Sequence, residues 1–414
     1  VTTGAGFAAE GSPRRWEHPV GPRWLLLGDV GFEGSDEVDT PLALCADIEG
    51  LFVDLPPRPR ESFTLVGCSP AGALAGLPVE ALGTGEAWLG DVSLLGPSPG
   101  APSWWGEDLG DVVVLARRPS VAVPGAVDVD LDGFVHVDDR TDAVVRPGDV
   151  AEFVLEGRDG VPLGTCRDVT GVFRVRAAPL VPRVRLLGCR PESSLSTALD
   201  AVGRSGGAGV RRRRIRAEVH AVAADGSAGR VIGAMVSGTV EAAEPSRLGA
   251  GLVDVTVASD PQEPLPTGML GVLGHWYAGR PVERNVWAGY GRELRHLWAG
   301  VALTHRRPGV VDKPAGTTFE LDGRFVTDVE GFYCAIGEAV NGPGGYFGWN
   351  LDAFHDCLRG RFGARAPFRL VWRDSAVACG SLVAGYDRRR LVPAVTVEDL
   401  LAVLVARDVV VDLR

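Results

Sequence analysis

The chain has 414 residues, 45 % of them hydrophobic and 23 % charged, with a formal net charge of −11 at pH 7. Such a length predicts about two to four domains with cores of their own, and the acidic balance argues against nucleic acid as a direct partner and for a basic protein instead. No apolar run reaches the roughly 18 residues of a membrane span, and no basic-then-apolar leader opens the chain. Seven cysteines, an odd number without a CxxC spacing, suit a reducing compartment, so a cytoplasmic location is expected. Lys313 is the only lysine among 42 basic residues, a bias that suggests a GC-rich bacterial genome and says nothing about function.

Residues 1–22 are rich in small residues and read as a flexible start. Residues 23–140 read as a β module. Trp24–Leu27, Leu51–Val53, Phe63–Val66 and Asp111–Leu115 are strand-like, Ala71–Leu82 reads as a short helix, and Pro/Gly clusters such as Gly96–Gly100 mark turns. Residues 141–265 repeat that region without a gap. Cys45-Ala46-Asp47-Ile48-Glu49-Gly50-Leu51-Phe52 aligns with Cys166-Arg167-Asp168-Val169-Thr170-Gly171-Val172-Phe173, an offset of 121. Leu65–Pro70 aligns at the same offset with Leu186–Pro191, bringing Cys68 onto Cys189. A duplicated, mainly-β module is expected.

Each repeat carries two cysteines and an aspartate but no shared histidine, fewer ligands than the four of a closed zinc site. The cysteines therefore read as small buried residues, and a disulfide within each module requires an oxidising compartment. No metal or cofactor is expected. The basic run Arg211–Arg214 reads as the start of a strand over Ile215–Val222, with the arginines guarding a solvated edge.

Residues 266–309 form a tryptophan-rich connecting segment in which Trp276, Trp287 and Trp298 recur every 11 residues. Packing inside a core is the usual fate of tryptophan, and a stacking surface for a ligand is the alternative. Arg306-Arg307-Pro308-Gly309 reads as a boundary, after which residues 310–414 change rhythm. Strands are expected at Thr317–Leu321, Phe368–Trp372 and Val409–Leu413, with helices at Val329–Val340, Asn350–Leu358, Asp374–Ala384 and Thr396–Ala406. That order, β-α-α-β-α-α-β, suits three parallel strands joined by crossover helices.

The richest stretch is Gly345-Tyr346-Phe347-Gly348-Trp349-Asn350-Leu351-Asp352-Ala353-Phe354-His355-Asp356-Cys357-Leu358. Asn350 is a good N-cap. Leu351, Phe354 and Leu358 share one helical face, leaving Asp352, His355 and Asp356 on the other. The stretch resembles the barstar family, inhibitors of the guanyl-specific ribonuclease barnase, and the likeness extends over residues 310–414, including Trp372-Arg373. It implies a C-terminal α/β domain with a three-stranded parallel sheet. It also implies a non-catalytic, immunity-type inhibitor whose partner face comprises Tyr346, Phe347, Trp349, Asn350, Asp352, His355 and Asp356. In that reading Asp356 takes the place of an RNA phosphate in the basic cleft of a secreted or toxin-type ribonuclease.

His355 stands where the family often has tryptophan, Trp349 where it often has a polar residue, and Arg359 and Arg361 follow the helix. From Val310 to Arg414 there are 14 acids against 12 bases, a net charge of only −2. The alternative is a non-inhibitory scaffold or regulatory protein whose β modules bind another protein or a small ligand. Catalysis has little to rest on, because the chain has no Walker A or HExxH motif and no GxGxxG opening a helix.

Overall fold

The computed structural model describes residues 23–30, 40–56, 59–77, 87–97, 104–135, 152–171, 183–202, 207–226, 231–260, 264–306, 309–387 and 392–414. The expectation of a flexible start at residues 1–22 lies outside them. The described residues fall into two compact units, one from the ranges 1–55, 179–383 and 396–414, the other from 56–178 and 384–395.

The first repeat supplies strands β1 (Trp24–Val30), β2 (Pro41–Cys45), β3 (Asp47–Glu49) and β4 (Glu61–Pro70), helix α1 (Gly72–Gly76), then β5 (Trp88–Pro97), β6 (Trp104–Pro119) and β7 (Val127–Val135). The second supplies β8 (Phe153–Gly157), β9 (Pro162–Cys166), β10 (Asp168–Thr170), β11 (Val184–Pro191), α2 (Ser193–Asp200), α3 (Gly207–Arg212), β12 (Arg214–Ala221), β13 (Val231–Pro245) and β14 (Val253–Ser259).

These strands build two antiparallel, barrel-like sheets. One has the order β14-β13-β12-β1-β2-β11-β3, closed by β14 against β11. The other has the order β10-β4-β7-β6-β5-β8-β9, closed by β4 against β9. Each barrel therefore takes three strands from one repeat and four from the other. The crossing falls between β3 and β4, where the sequence reads Pro56-Pro57-Arg58-Pro59, and between β10 and β11, where Pro179 and Pro182 stand.

Inside each barrel, apolar side chains alternate inward as period-two strands require. Ile215, Ala217 and Val219 of β12 are buried in the first, and Val129 and Leu131 of β7 in the second.

Two expectations are corrected here. Leu51–Val53 is not a strand; Phe52 makes only an isolated bridge to Leu265. The strand expected over Ile215–Val222 is present as β12, but the basic run before it does not guard an edge. Its start closes α3, with Arg211 and Arg212 in the last turn, where cations complement the helix dipole. The strand that follows, β12, is paired on both sides, by β1 and β13. Arg214 is spent on Asp260 at 2.6 Å, and Arg213 donates to the Val240 carbonyl at 3.1 Å.

The tryptophan-rich segment supplies helices α4 (Met269–Gly274) and α5 (Arg292–Thr304), with a 3-10 turn at Val286–Gly289 between them. The C-terminal region continues with β15 (Thr318–Asp322), α6 (Val329–Asn341), α7 (Leu351–Cys357), β16 (Arg369–Arg373), α8 (Ser375–Ser381), β17 (Tyr386–Asp387), β18 (Val392–Pro393), α9 (Val397–Val405) and β19 (Val410–Leu413). β15, β16 and β19 form a parallel sheet with β16 in the middle. Helix ends follow the expected chemistry: Asp328 caps α6 through the Gly331 N–H, and Thr396 and Asp399 form a capping box on α9.

The β17–β18 hairpin was not expected from the sequence. It belongs to the second unit, where Tyr386 packs edge-on against Trp88 at 5.1 Å and its hydroxyl donates to Asp91. Among the described residues, no helix is long and apolar enough to cross a membrane.

Candidate functional site

The acidic helix α7 begins where expected. The Asn350 side-chain oxygen accepts the Ala353 N–H at 2.7 Å, satisfying one of the orphan donors of the first turn. Phe354, Cys357 and Leu358 are buried. Phe354 sits edge-on to Phe332 of α6 at 5.3 Å, which fixes the roll of the helix. That roll turns Asp352 and Asp356 outward, one helical turn apart and both exposed. Asp356 meets Arg359 at 3.2 Å, with both side chains about three-fifths exposed (62 % and 60 %). Exposed pairs of this kind contribute about 0–1 kcal/mol, so Asp356 can exchange that partner readily.

His355 lies between them but is only half-exposed. Arg407, just beyond α9, donates from Nε to His355 Nε2 at 3.0 Å. His355 thus presents an imidazole with a guanidinium behind it. The acid–base triplet Asp352, His355 and Asp356 is accordingly split, its imidazole occupied and its two carboxylates facing outward. Among the described residues, no group of three or more His, Cys, Asp or Glu side chains is placed to hold a metal ion.

The loop before the helix departs from the expected partner face. Phe347 has no exposed surface and packs on Phe354 and Phe368, so its side chain belongs to the core. Tyr346 is 6 % exposed and packs on Phe362 at 5.9 Å; burial pushes its phenol well above the usual range. In this conformation neither ring is available to a partner. Trp349 is half-buried. Gly348 makes this packing possible: at φ +106°, a Cβ there would lie 2.8 Å from the Phe354 Cα.

What covers the loop is the tryptophan-rich segment. Trp276, Trp287 and Trp298 are all buried, so the segment packs as core rather than as a ligand-stacking surface. Arg280 donates to the carbonyls of Asn341 (2.6 Å), Pro343 (2.6 Å) and Gly342 (3.1 Å). Pro281 and Trp276 crowd Gly344 so closely that a Cβ there would lie 2.9 Å from Pro281 Cδ. His296 of α5 stacks on Trp349. Glu338 of α6 joins the two stretches by accepting the backbone N–H groups of Asn285 at 2.9 Å and Gly344 at 3.4 Å; burial raises its carboxyl above the usual range.

Ion pairs clamp α5 to α6 at the start of the latter. Arg292 binds Glu330 at 2.6 Å and Arg295 binds Asp328 at 2.8 Å. Asp328 nevertheless titrates above its usual range, because its burial outweighs the help of Gly331 and Arg295.

Arg280, His296 and Arg407 were missed by sequence reasoning. The 11-residue tryptophan spacing marked the right segment, but no local pattern says which loop it lies against.

A parallel three-stranded sheet, a glycine–aromatic loop and a capped helix with outward carboxylates make up an α/β region. The family model described as Barstar (barnase inhibitor) matches residues 316–384, so the C-terminal region carries a barstar-family segment. The match ends where the chain passes into the second unit's hairpin. No curated protein and no solved structure matches the chain.

Proposed function

We propose that the chain is a non-catalytic, barstar-like inhibitor that acts in the cytoplasm on a basic, barnase-like ribonuclease. The reading rests on Asp352 and Asp356, exposed one turn apart on a helix whose cap and buried face hold them in place. Arginine, lysine and histidine side chains of a phosphate-binding cleft would pair with these carboxylates through charge-assisted hydrogen bonds. The carboxylates would also speed encounter at low salt. Trp349 adds a half-buried aromatic rim. The contact is narrower than the family pattern implies, because Tyr346 and Phe347 face inward.

The covered loop supports a second reading, a regulatory or scaffold protein in which the barstar-like region is used for internal packing and the β barrels carry the ligand. One experiment separates the two. Immobilised full-length chain is presented with a guanyl-specific ribonuclease, and both capture and residual nuclease activity are measured. The inhibitor reading expects capture that weakens with salt and falls at least tenfold in Asp356→Ala. No capture, or equal capture by wild type and variant, leaves the scaffold reading.

A further inference from the structure

The strand exchange between the repeats places their cysteines in register. In the first barrel, β2 and β11 pair Ala43 with Pro191 and Leu44 with Arg190, so the next rung sets Cys45 opposite Cys189. In the second, β4 and β9 pair Pro70 with Gly164 and Ser69 with Thr165, so the next rung sets Cys68 opposite Cys166. The flanking hydrogen bonds match as well. Glu192 N–H donates to the Leu42 carbonyl at 2.8 Å and Ala71 N–H to the Leu163 carbonyl at 2.8 Å. Beyond the cysteines, Ala46 N–H donates to Leu187 at 2.9 Å and Arg167 N–H to Val66 at 3.0 Å.

Continued by one step, the alternation of each ladder makes the cysteine pair a non-hydrogen-bonded one, a class with Cα atoms about 4.5 Å apart and side chains facing; each ladder bulges just beyond it, at Gly188 and at Gly67. Disulfides span Cα separations of about 4.4–6.8 Å, so these rungs lie within reach at the short end. All four thiols are free and buried. Each pair joins one cysteine from each repeat, not the two cysteines of one repeat.

We propose that Cys45–Cys189 and Cys68–Cys166 are two cross-strand disulfide sites, open in a reducing cytoplasm, that lock the exchanged strands together under an oxidising poise. The oxidant is a small disulfide of the glutathione class. A thiolate attacks its S–S bond and releases one reduced glutathione. The opposite thiolate then displaces the second, forming the Sγ–Sγ bond. Two protons and two electrons leave the pair, and one oxidised glutathione becomes two reduced ones.

In the folded barrel this chemistry is suppressed. Burial pushes the Cys68 thiol up to about 11 and moves Cys166 and Cys189 upward too, so little thiolate exists and no oxidant reaches it. The sites therefore close when the barrels open, during folding or after unfolding.

The test uses the full chain at high dilution with Cys379→Ser, which removes the one thiol exposed in the folded chain. The reduced protein is unfolded in urea and refolded in a buffer of reduced and oxidised glutathione. A parallel sample stays in the same buffer at the urea midpoint, so the result does not depend on refolding yield. Acid-quenched tryptic peptides are then mapped; cleavage after arginine puts the four cysteines on four separate peptides. The expected products are Cys45 linked to Cys189 and Cys68 linked to Cys166, each linkage two hydrogens lighter, with a higher urea midpoint than the reduced form. Four free thiols, links between Cys45 and Cys68 or between Cys166 and Cys189, or a lower midpoint after oxidation would each overturn the proposal.

Discussion

His296 and Trp349 lie face to face, ring centroids 5.3 Å apart and planes 6° from parallel. The tryptophan that leads into the acidic helix thus already has an aromatic partner within its own chain. Together with Arg280 on three loop carbonyls, this stack holds the loop against the segment that precedes the barstar-like region. Removing both contacts, by Arg280→Ala with His296→Ala, should speed amide exchange across residues 342–349 while leaving the buried turn of α7 protected. Hydrogen exchange resolved by peptide checks this, and unchanged loop exchange would show that these contacts do not hold it.

The ion pair between Asp356 and Arg359 competes with any basic partner. Arg359→Ala frees the carboxylate and removes a like charge from the partner's approach, so ribonuclease affinity should rise by a few-fold at low salt and converge with wild type at high salt. Titration calorimetry at two ionic strengths measures it; weaker binding in Arg359→Ala would place the arginine on the partner's side of the contact.

Asn350 and Gly348 fix the entry to α7 in different ways, one through a hydrogen bond and the other by conformation. Asn350→Ala should lower stability by about 1 kcal/mol, the usual worth of an N-cap. Gly348→Ala should cost more than about 1 kcal/mol, because φ is positive and the new methyl meets the Phe354 backbone. Urea unfolding gives both values, and a Gly348→Ala protein as stable as wild type would contradict the loop geometry.

Acid stability should depend on Asp322. The Arg324 guanidinium, at 2.6 Å, with help from Asn285, holds this carboxyl down at about 2. Its unfolded value is about 3.9. A depressed folded value means a contribution fully present above about pH 5 and lost as pH falls toward 2. The difference in urea midpoint between wild type and Asp322→Asn should therefore be constant near neutrality and shrink below about pH 4. A difference that grows on acidification would reverse the sign and exclude the pairing.

Local chemistry was legible where it acts over a few residues. Asn350, Asp328 and Thr396 cap helices because a side-chain oxygen reaches an N–H three residues on. The parallel β15-β16-β19 sheet followed from the order of strands and helices. The outward face of α7 followed from the spacing of Leu351, Phe354 and Leu358. The repeat was read from an offset in the sequence alone.

Tertiary structure decided what such patterns leave open. The offset aligned Cys45 with Cys166 and Cys68 with Cys189 but could not say that each would pair across repeats, because strand pairing is a long-range choice between equivalent edges. Tyr346 and Phe347 were expected on the partner face, yet an aromatic ring serves a core as well as it anchors a partner. Their burial was settled by Phe362, Phe354 and Phe368, together with the cover provided by Arg280, Trp276 and His296. Periodicity reports which face of an element is apolar; which neighbour comes to lie on it depends on contacts between residues far apart in the chain.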